Sequence, residues 1–468
     1  MKRAWNIIKK VLLALILLLV LLLVFTLDEV DEQPYFESEY YKNTIVQLDS
    51  SLSLMQEKQG QLRAGFARIN ITPQIGSEQE VAMQGQFREV PLAGYGAREK
   101  PANAVHDSIF AKAIALEVDH QAIVFIGTDL LIMPPAVAAE VSTTLAKKIG
   151  LKREQLYFGA THTHSSAGAM SQGWVGEQFA GVYQAAFVSW LSQQIVAVVE
   201  KALQDLQKAS VGFSDFEAEA YVKNRIIGET GRLNDIFTFM VVKQDTAKTA
   251  LLGAFAAHAT TLGASNLAFS GDYPGYWERK LEKETVDLAV FFAGTVGSHS
   301  YRSKGNDFER AQYIGEALAD SVKAYVPKVE WQDSVSFTAF SAPIQVPALQ
   351  IRLGEESHLR SYLGHRLMPG LESPSIQGMK INNFIWMTLP CELSGEYAID
   401  LKNALAQEGY HSVFSSFNGA YLGYIVPAKY YHYDHYESKL MGWYGPSMGD
   451  YLMELLYRSC NALSGERL

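Results

Sequence analysis

Leu156-Tyr157-Phe158-Gly159-Ala160-Thr161-His162-Thr163-His164-Ser165 is the stretch on which the reading of this chain turns. Its first half is short and apolar, as a buried strand is. Two histidines one residue apart follow. Alternate residues of an extended segment face the same side, so His162 and His164 are expected to aim at one point beyond a strand end. Neutral imidazole is a good ligand for zinc. Hydrogen-bonded histidines at a surface turn carry the same pattern, so the pair alone leaves the metal open.

Two further strand ends sharpen the reading. The apolar run Leu251 to Ala257 ends on His258, with Thr260 and Thr261 after it. Phe384 to Leu389 leads into Pro390-Cys391-Glu392, which places Glu392 at a strand-to-helix turn, where many α/β enzymes carry functional groups. A carboxylate there also complements a helix dipole, a role that Glu396 fits at least as well.

Around these points apolar runs alternate with helical patterns. Ala113 to Val118 and Ala122 to Ile126 flank an Asp-His-Gln turn and read as a hairpin. Ile69 and Ile71 mark a strand that Thr72-Pro73 ends. Phe237 to Val242, Leu288 to Ala293 and Ser412 to Phe417 are further strands. Helices are expected over 136–149, 183–206, 276–284, 308–325 and 394–408. The fold class is therefore α/β: a mixed sheet with flanking helices in one large domain.

The remaining sequence places that domain. Lys2, Arg3, Lys9 and Lys10 precede an uncharged run from Val11 to Leu27, and Asp28, Glu29, Asp31 and Glu32 follow it. That arrangement is a single N-terminal transmembrane helix with its basic flank in the cytoplasm and the body outside, periplasmic or extracellular. No small-x-small cleavage site follows the run, so a membrane anchor is preferred to a cleaved signal. The expected division is an anchor over 1–28, a polar stalk over 29–62 and a catalytic domain over 63–468. A net charge of −10 excludes general nucleic-acid binding, which needs a basic face. Two cysteines, Cys391 and Cys460, are too few for a disulfide framework.

In order along the chain, these segments resemble the neutral/alkaline non-lysosomal ceramidase family. The resemblance runs through Ala64-Gly65 to Ile71-Thr72-Pro73, Gly94-Tyr95-Gly96 with His106, Ala160 to Ser165, Asn224-Arg225, Ala256 to Thr260, Asp272 to Gly275, Pro390-Cys391-Glu392, and Tyr421 to Ile425 with Gly445-Pro446. It implies a zinc-dependent amidohydrolase with Zn2+ held by His162, His258, Glu392 and Tyr424. His164 would act beside the metal as an acid or base, and Tyr424 would stabilise the oxyanion. Arg225 would face the substrate, a ceramide or other lipid-like N-acyl amide. The products would be a fatty acid and an amine.

The sequence departs from the family where its proposed catalytic serine stands. Here the segment reads Gly294-Thr295-Val296-Gly297-Ser298-His299, with the serine displaced by one and its Pro and Asn neighbours missing. Ser298 remains a candidate, with His299 as a neighbour that compensates in part. Cys391 replaces a glycine beside Glu392. The family's C-terminal immunoglobulin-like domain is expected to be lacking. Gly445-Pro446-Ser447-Met448-Gly449 matches the serine-hydrolase motif, but no strand pattern precedes it. Alternatives are a zinc amidase for a non-lipid amide, or a membrane-anchored binding protein on a degenerate hydrolase scaffold.

Overall fold

The computed structural model describes residues 2–96, 98–368, 374–466 and 468. Two sheets form the body. The larger has eight strands, in the order Leu288–Ala293, Thr249–Phe255, Ile236–Gln244, Gln207–Glu217, Arg63–Asn70, Phe110–Val118, Gln121–Thr128 and Leu156–Ala160. Only its two outermost pairs are parallel; the inner pairs are antiparallel. The smaller sheet has five strands, in the order Lys58–Gln61, Ser334–Pro343, Ser375–Ile381, Phe384–Thr388 and His411–Ser415.

The sheets meet face to face across an apolar layer that includes Phe125, Tyr157, Met240, Phe292, Phe337 and Trp386. Helices Pro135–Ile149 and Ala185–Gln204 cover one part of the large sheet's outer face, and Asp272–Glu284 with Asp307–Tyr325 covers another. Helices Glu39–Ser53, Gly395–Gln407 and Met448–Ser464 cover the small sheet. A strand buried on both faces must be apolar throughout, which is why Leu288–Ala293 and Leu156–Ala160 carry no polar alternation.

The large sheet curls. A Cβ on Gly127 would lie 2.4 Å from the Val290 side chain, and one on Gly159 would lie 2.3 Å from the Phe292 ring. The strand at one edge therefore lies across the strands at the other, and only glycine lets the backbones approach so closely. This curl matters for the site: it brings the ends of Thr249–Phe255 and Leu156–Ala160 together from opposite sides of the sheet order.

The expected strands and helices are present, within a few residues at their ends. The hairpin turn is made by Asp119 and His120, both left-handed, as a two-residue hairpin requires. Strands Gln207–Glu217, Ser334–Pro343 and Ser375–Ile381 are additional to those expected from the sequence, as is the second sheet.

Helix Lys2–Thr26 is apolar enough to span a membrane from Ala4 to Thr26, and its side chains from Trp5 to Phe25 are exposed. The segment 29–62, expected as a stalk, is itself folded against the body. Helix Glu39–Ser53 packs on strand Ser334–Pro343, and Tyr35 and Tyr41 both donate to Glu454 on the last helix.

Candidate metal centre

Four chain segments deliver the polar groups of the site. His162 lies two residues past its strand, not on it, with a left-handed backbone at φ 63°. The expected strand alternation is therefore replaced by a tight turn. That turn costs backbone energy, and histidine tolerates it better than most residues. The turn is held by the His162 N–H on Leu130 O (3.0 Å) and the ring Nδ1–H on Leu131 O (2.6 Å). Phe417 stacks on the ring at 4.5 Å. His164 still converges on the site, its ring centroid 5.0 Å from that of His162.

His258 sits three residues past Thr249–Phe255 and directs Nδ1 to Val296 O at 3.3 Å. Glu392 opens a two-residue strand that pairs in parallel with Tyr424-Ile425, so Glu392 and Tyr424 are register partners. Tyr421, in the same loop, donates its hydroxyl to Glu392 Oε1 at 2.6 Å.

These segments converge on a point rich in acceptors. His162 Nε2 and His258 Nε2 are 2.7 Å apart, and Glu392 Oε2 lies 3.3 Å and 3.7 Å from them. Backbone carbonyls take the proton of each Nδ1, so both Nε2 atoms present bare lone pairs. Burial, with Arg225 and the neighbouring histidines adding to it, holds His258 far below the ordinary histidine pKa and keeps its ring neutral. Glu392 is pushed up by burial, yet His162 and the hydroxyls of Tyr421 and Tyr424 outweigh this and hold it below the usual carboxylate value. Two imidazole lone pairs and a carboxylate oxygen face one another with only the Tyr424 hydroxyl beside them as a donor, an arrangement that a cation satisfies. The donor set of two imidazoles and one carboxylate fits a catalytic divalent metal.

Around this point, His164 has neither ring nitrogen hydrogen-bonded, though both are buried. Its position is set by Gly94, where a Cβ would lie 2.4 Å from Nδ1, and by Arg98, which donates to its carbonyl at 3.0 Å. The Tyr424 hydroxyl is 3.3 Å from His258 Nε2. Arg225 lies over the Tyr424 ring at 5.4 Å and pairs with Glu437 at 2.7 Å. Next to Tyr421 a cavity of about 100 Å³ opens, lined by Ile132, Met170, Val175, Phe179 and Trp443 among others.

Ser298 is in a different situation. Its Oγ lies 2.7 Å from His299 Nδ1, 2.8 Å from Ser394 Oγ and 2.9 Å from Gly395 N. His299 Nε2 accepts from the Asn234 N–H at 3.0 Å, so the imidazole proton sits on Nδ1 and points at the serine. In this arrangement His299 donates to Ser298 and has no lone pair with which to take the serine proton. The pair is a structural lock between the Val296–Ser298 turn and the start of helix Gly395–Gln407.

Other sequence candidates fall elsewhere. His106 stacks on Phe308 and bonds to Tyr276. Ser447 sits at the start of helix Met448–Ser464 with no strand before it. Cys391 and Cys460 are free and buried. Glu396 takes the helix-start role, accepting from Asn224 at 2.7 Å. Three contributors were missed as site residues: Tyr421, Gly94 and Arg98. Two stand in segments that carry the family resemblance, but the chemistry of a phenol or a glycine does not by itself announce a place beside a metal.

Residues 75–306 match the family model described as neutral/alkaline non-lysosomal ceramidase, N-terminal. Neutral ceramidase of Pseudomonas aeruginosa is 26% identical over 278 residues, covering 54% of this chain and 41% of that protein, so less than half of the relative's length is matched. The crystal structure of neutral ceramidase from Pseudomonas aeruginosa superposes with a TM-score of 0.72 at 18% identity, covering 87% of this chain and 75% of that one. A ceramidase complexed with C2 gives a TM-score of 0.69 at 18% identity, covering 87% and 76%. Residues 75–306 thus match the N-terminal domain of the neutral/alkaline non-lysosomal ceramidase family, and the fold is similar to that of the solved neutral ceramidases.

Proposed function

We propose that this protein is a zinc-dependent amidohydrolase that cleaves ceramide or a related N-acyl lipid to a fatty acid and an amine. The observation that carries the reading is the convergence of the His162 and His258 Nε2 lone pairs with Glu392 Oε2, next to a largely apolar cavity. His162, His258 and Glu392 would hold the ion, with Tyr421 occupying Glu392 Oε1 and leaving Oε2 for it. Zinc in such a site lowers the pKa of a water and polarises an amide carbonyl.

The protein's own groups supply the rest. The Tyr424 hydroxyl borders the ligand cluster and is raised far above the ordinary phenol pKa, chiefly by burial. It therefore stays protonated and donates to the oxyanion that develops on the amide carbonyl. Alternatively it completes the ligand set. His164, kept neutral chiefly by burial, has both ring nitrogens free to carry a proton to the departing amine. Arg225 sets its charge over the Tyr424 ring and orients the polar end of the substrate. The serine lock leaves Ser298 outside the proton transfers.

In this reading residues 1–28 anchor the chain in a membrane, 29–62 lead from the anchor and pack on the body, and 63–468 form the catalytic domain outside the cytoplasm. The test is turnover of a fluorescent N-acyl sphingoid base by purified full-length protein. Chelation should abolish it and zinc should restore it. A zinc-replete protein that releases no fatty acid from any N-acyl lipid would refute the function.

A further inference from the structure

The outer end of the apolar helix is gripped by the body. The last four carbonyls of a helix have no partner within it. Here three of them are taken by one short segment: Arg360 Nε–H donates to Val24 O (3.0 Å), the Arg360 N–H to Thr26 O (2.9 Å), and the Tyr362 hydroxyl to Phe25 O (2.7 Å). Arginine at a helix C-terminus also complements the dipole. Leu27–Glu29 then pairs antiparallel with Ser357–Leu359.

The grip continues to the candidate site. The Asp31 N–H donates to Gln350 Oε1 at 2.8 Å, and the Gln350 N–H donates to Trp443 O at 2.8 Å. Trp443 lines the apolar cavity and packs edge-on against Tyr421, whose hydroxyl holds Glu392. Met368, just past helix Ser361–Leu367, lines the cavity as well. The cavity is thus fixed relative to the C-terminal end of the apolar helix.

Apolar side chains stand exposed on the elements that make this connection. Leu353 is 60% exposed beside the gripping hairpin, and Leu440, at 63%, ends the segment that packs on strand Ile351-Arg352. Trp174 is 62% exposed on helix Gly173–Ala180, which packs against Ser361–Leu367 and supplies Val175 and Phe179 to the cavity. Large apolar side chains in water have a cost, and side chains continuous with a membrane helix are placed to avoid it.

We propose that Leu353, Leu440 and Trp174 rest in the headgroup–acyl boundary of the membrane spanned by the same chain. The cavity mouth is then held at bilayer level, and a lipid chain enters it laterally from the membrane. This rests on the reading of residues 4–26 as a span.

The test uses full-length protein in phosphatidylcholine vesicles, with nitroxides on Leu353→Cys and Leu440→Cys; the native cysteines are buried. Trp174→Cys is the third site should either variant fold poorly. Both nitroxides should be accessible to oxygen and shielded from a nickel chelate. Leu353→Glu and Leu440→Glu should lower turnover of a vesicle-embedded N-acyl substrate by about tenfold and leave a water-soluble short-chain analogue unaffected. Labels that sit in water while the protein resists alkaline carbonate extraction would overturn the docking surface and leave the span intact. Extraction by carbonate would overturn the span itself, and with it the proposal. The nitroxide readout needs no catalytic activity, so failure of the enzyme reading would show separately, as an absence of turnover on both substrates.

Discussion

Glu392 and Tyr424 are direct partners in a two-residue parallel ladder, so the carboxylate and the phenol reach the site as one unit. The histidines arrive separately, from the ends of two strands that only the curl of the large sheet brings together.

In the proposed function the two ladder partners play different parts, Glu392 as a ligand and Tyr424 as the oxyanion donor. His258→Ala or Glu392→Ala should lower bound metal in the purified protein from about one ion per chain to near none, and activity should go with it. Tyr424→Phe should retain most of the metal and lose roughly a hundredfold in turnover rate, as loss of an oxyanion donor does. Elemental analysis beside the rate assay checks both. Loss of metal in Tyr424→Phe would make Tyr424 a ligand.

Ser298→Ala should keep substantial turnover, because no neighbouring base is free to take the serine proton. It should instead cost stability by about 1–3 kcal/mol, since the Gly395 N–H and His299 Nδ1–H lose their acceptor in a buried place. His164→Ala should show the opposite pattern: normal stability and metal, and a rate lower by about a hundredfold. A dead Ser298→Ala protein with normal folding and metal would assign the serine to the chemistry.

Lys112 is buried between Glu278 (2.9 Å), Glu282 (2.7 Å) and the carbonyl of Ala289 (2.8 Å). It ties helix Asp272–Glu284 to the edge strand that makes the curl. Burial opposes its charge, but the paired carboxylates outweigh that and raise its pKa. Lys112→Met should destabilise the fold by about 3–5 kcal/mol, because the buried Glu278 and the half-buried Glu282 lose their counter-charge. Lys112→Met with Glu278→Gln should recover part of that loss. Denaturant unfolding of the single and double variants measures both.

Acid should weaken the chelated protein in a characteristic window. Burial first, then Arg225, lowers His299 to about 3, and His164 and His258 are lowered in the same direction. Below the ordinary histidine value of about 6.5 the unfolded chain takes up protons that the folded chain refuses. Stability is therefore fully present above about pH 6.5 and falls as pH drops toward about 3. Melting temperatures at several pH values check the slope. His299→Gln should flatten it.

The strand ends were legible because apolar runs stopping at His258, His162 and Glu392 are strong local signals. Strand alternation does not aim His162 and His164, since the strand stops at Ala160 and a left-handed turn does so instead. The half-buried strands of the second sheet escaped notice because polar residues interrupt them, as in Ser334–Pro343. Tyr421 and Gly94 lie in segments that resemble the family, yet nothing local marks them as site residues. Their roles depend on long-range contacts: Tyr421 reaches Glu392, and Gly94 makes room for His164.

The curl and the late ladder also set an order of events during synthesis. His162, His164 and His258 leave the ribosome well before Glu392 and Tyr424, and the matched family segment ends at residue 306, ahead of both. Domains form their contacts as the chain emerges, and pairings distant in sequence close last. Until the second sheet has formed, the nascent chain offers histidines without their carboxylate. It should therefore hold metal weakly, and the tightly held ion should arrive only as folding is completed.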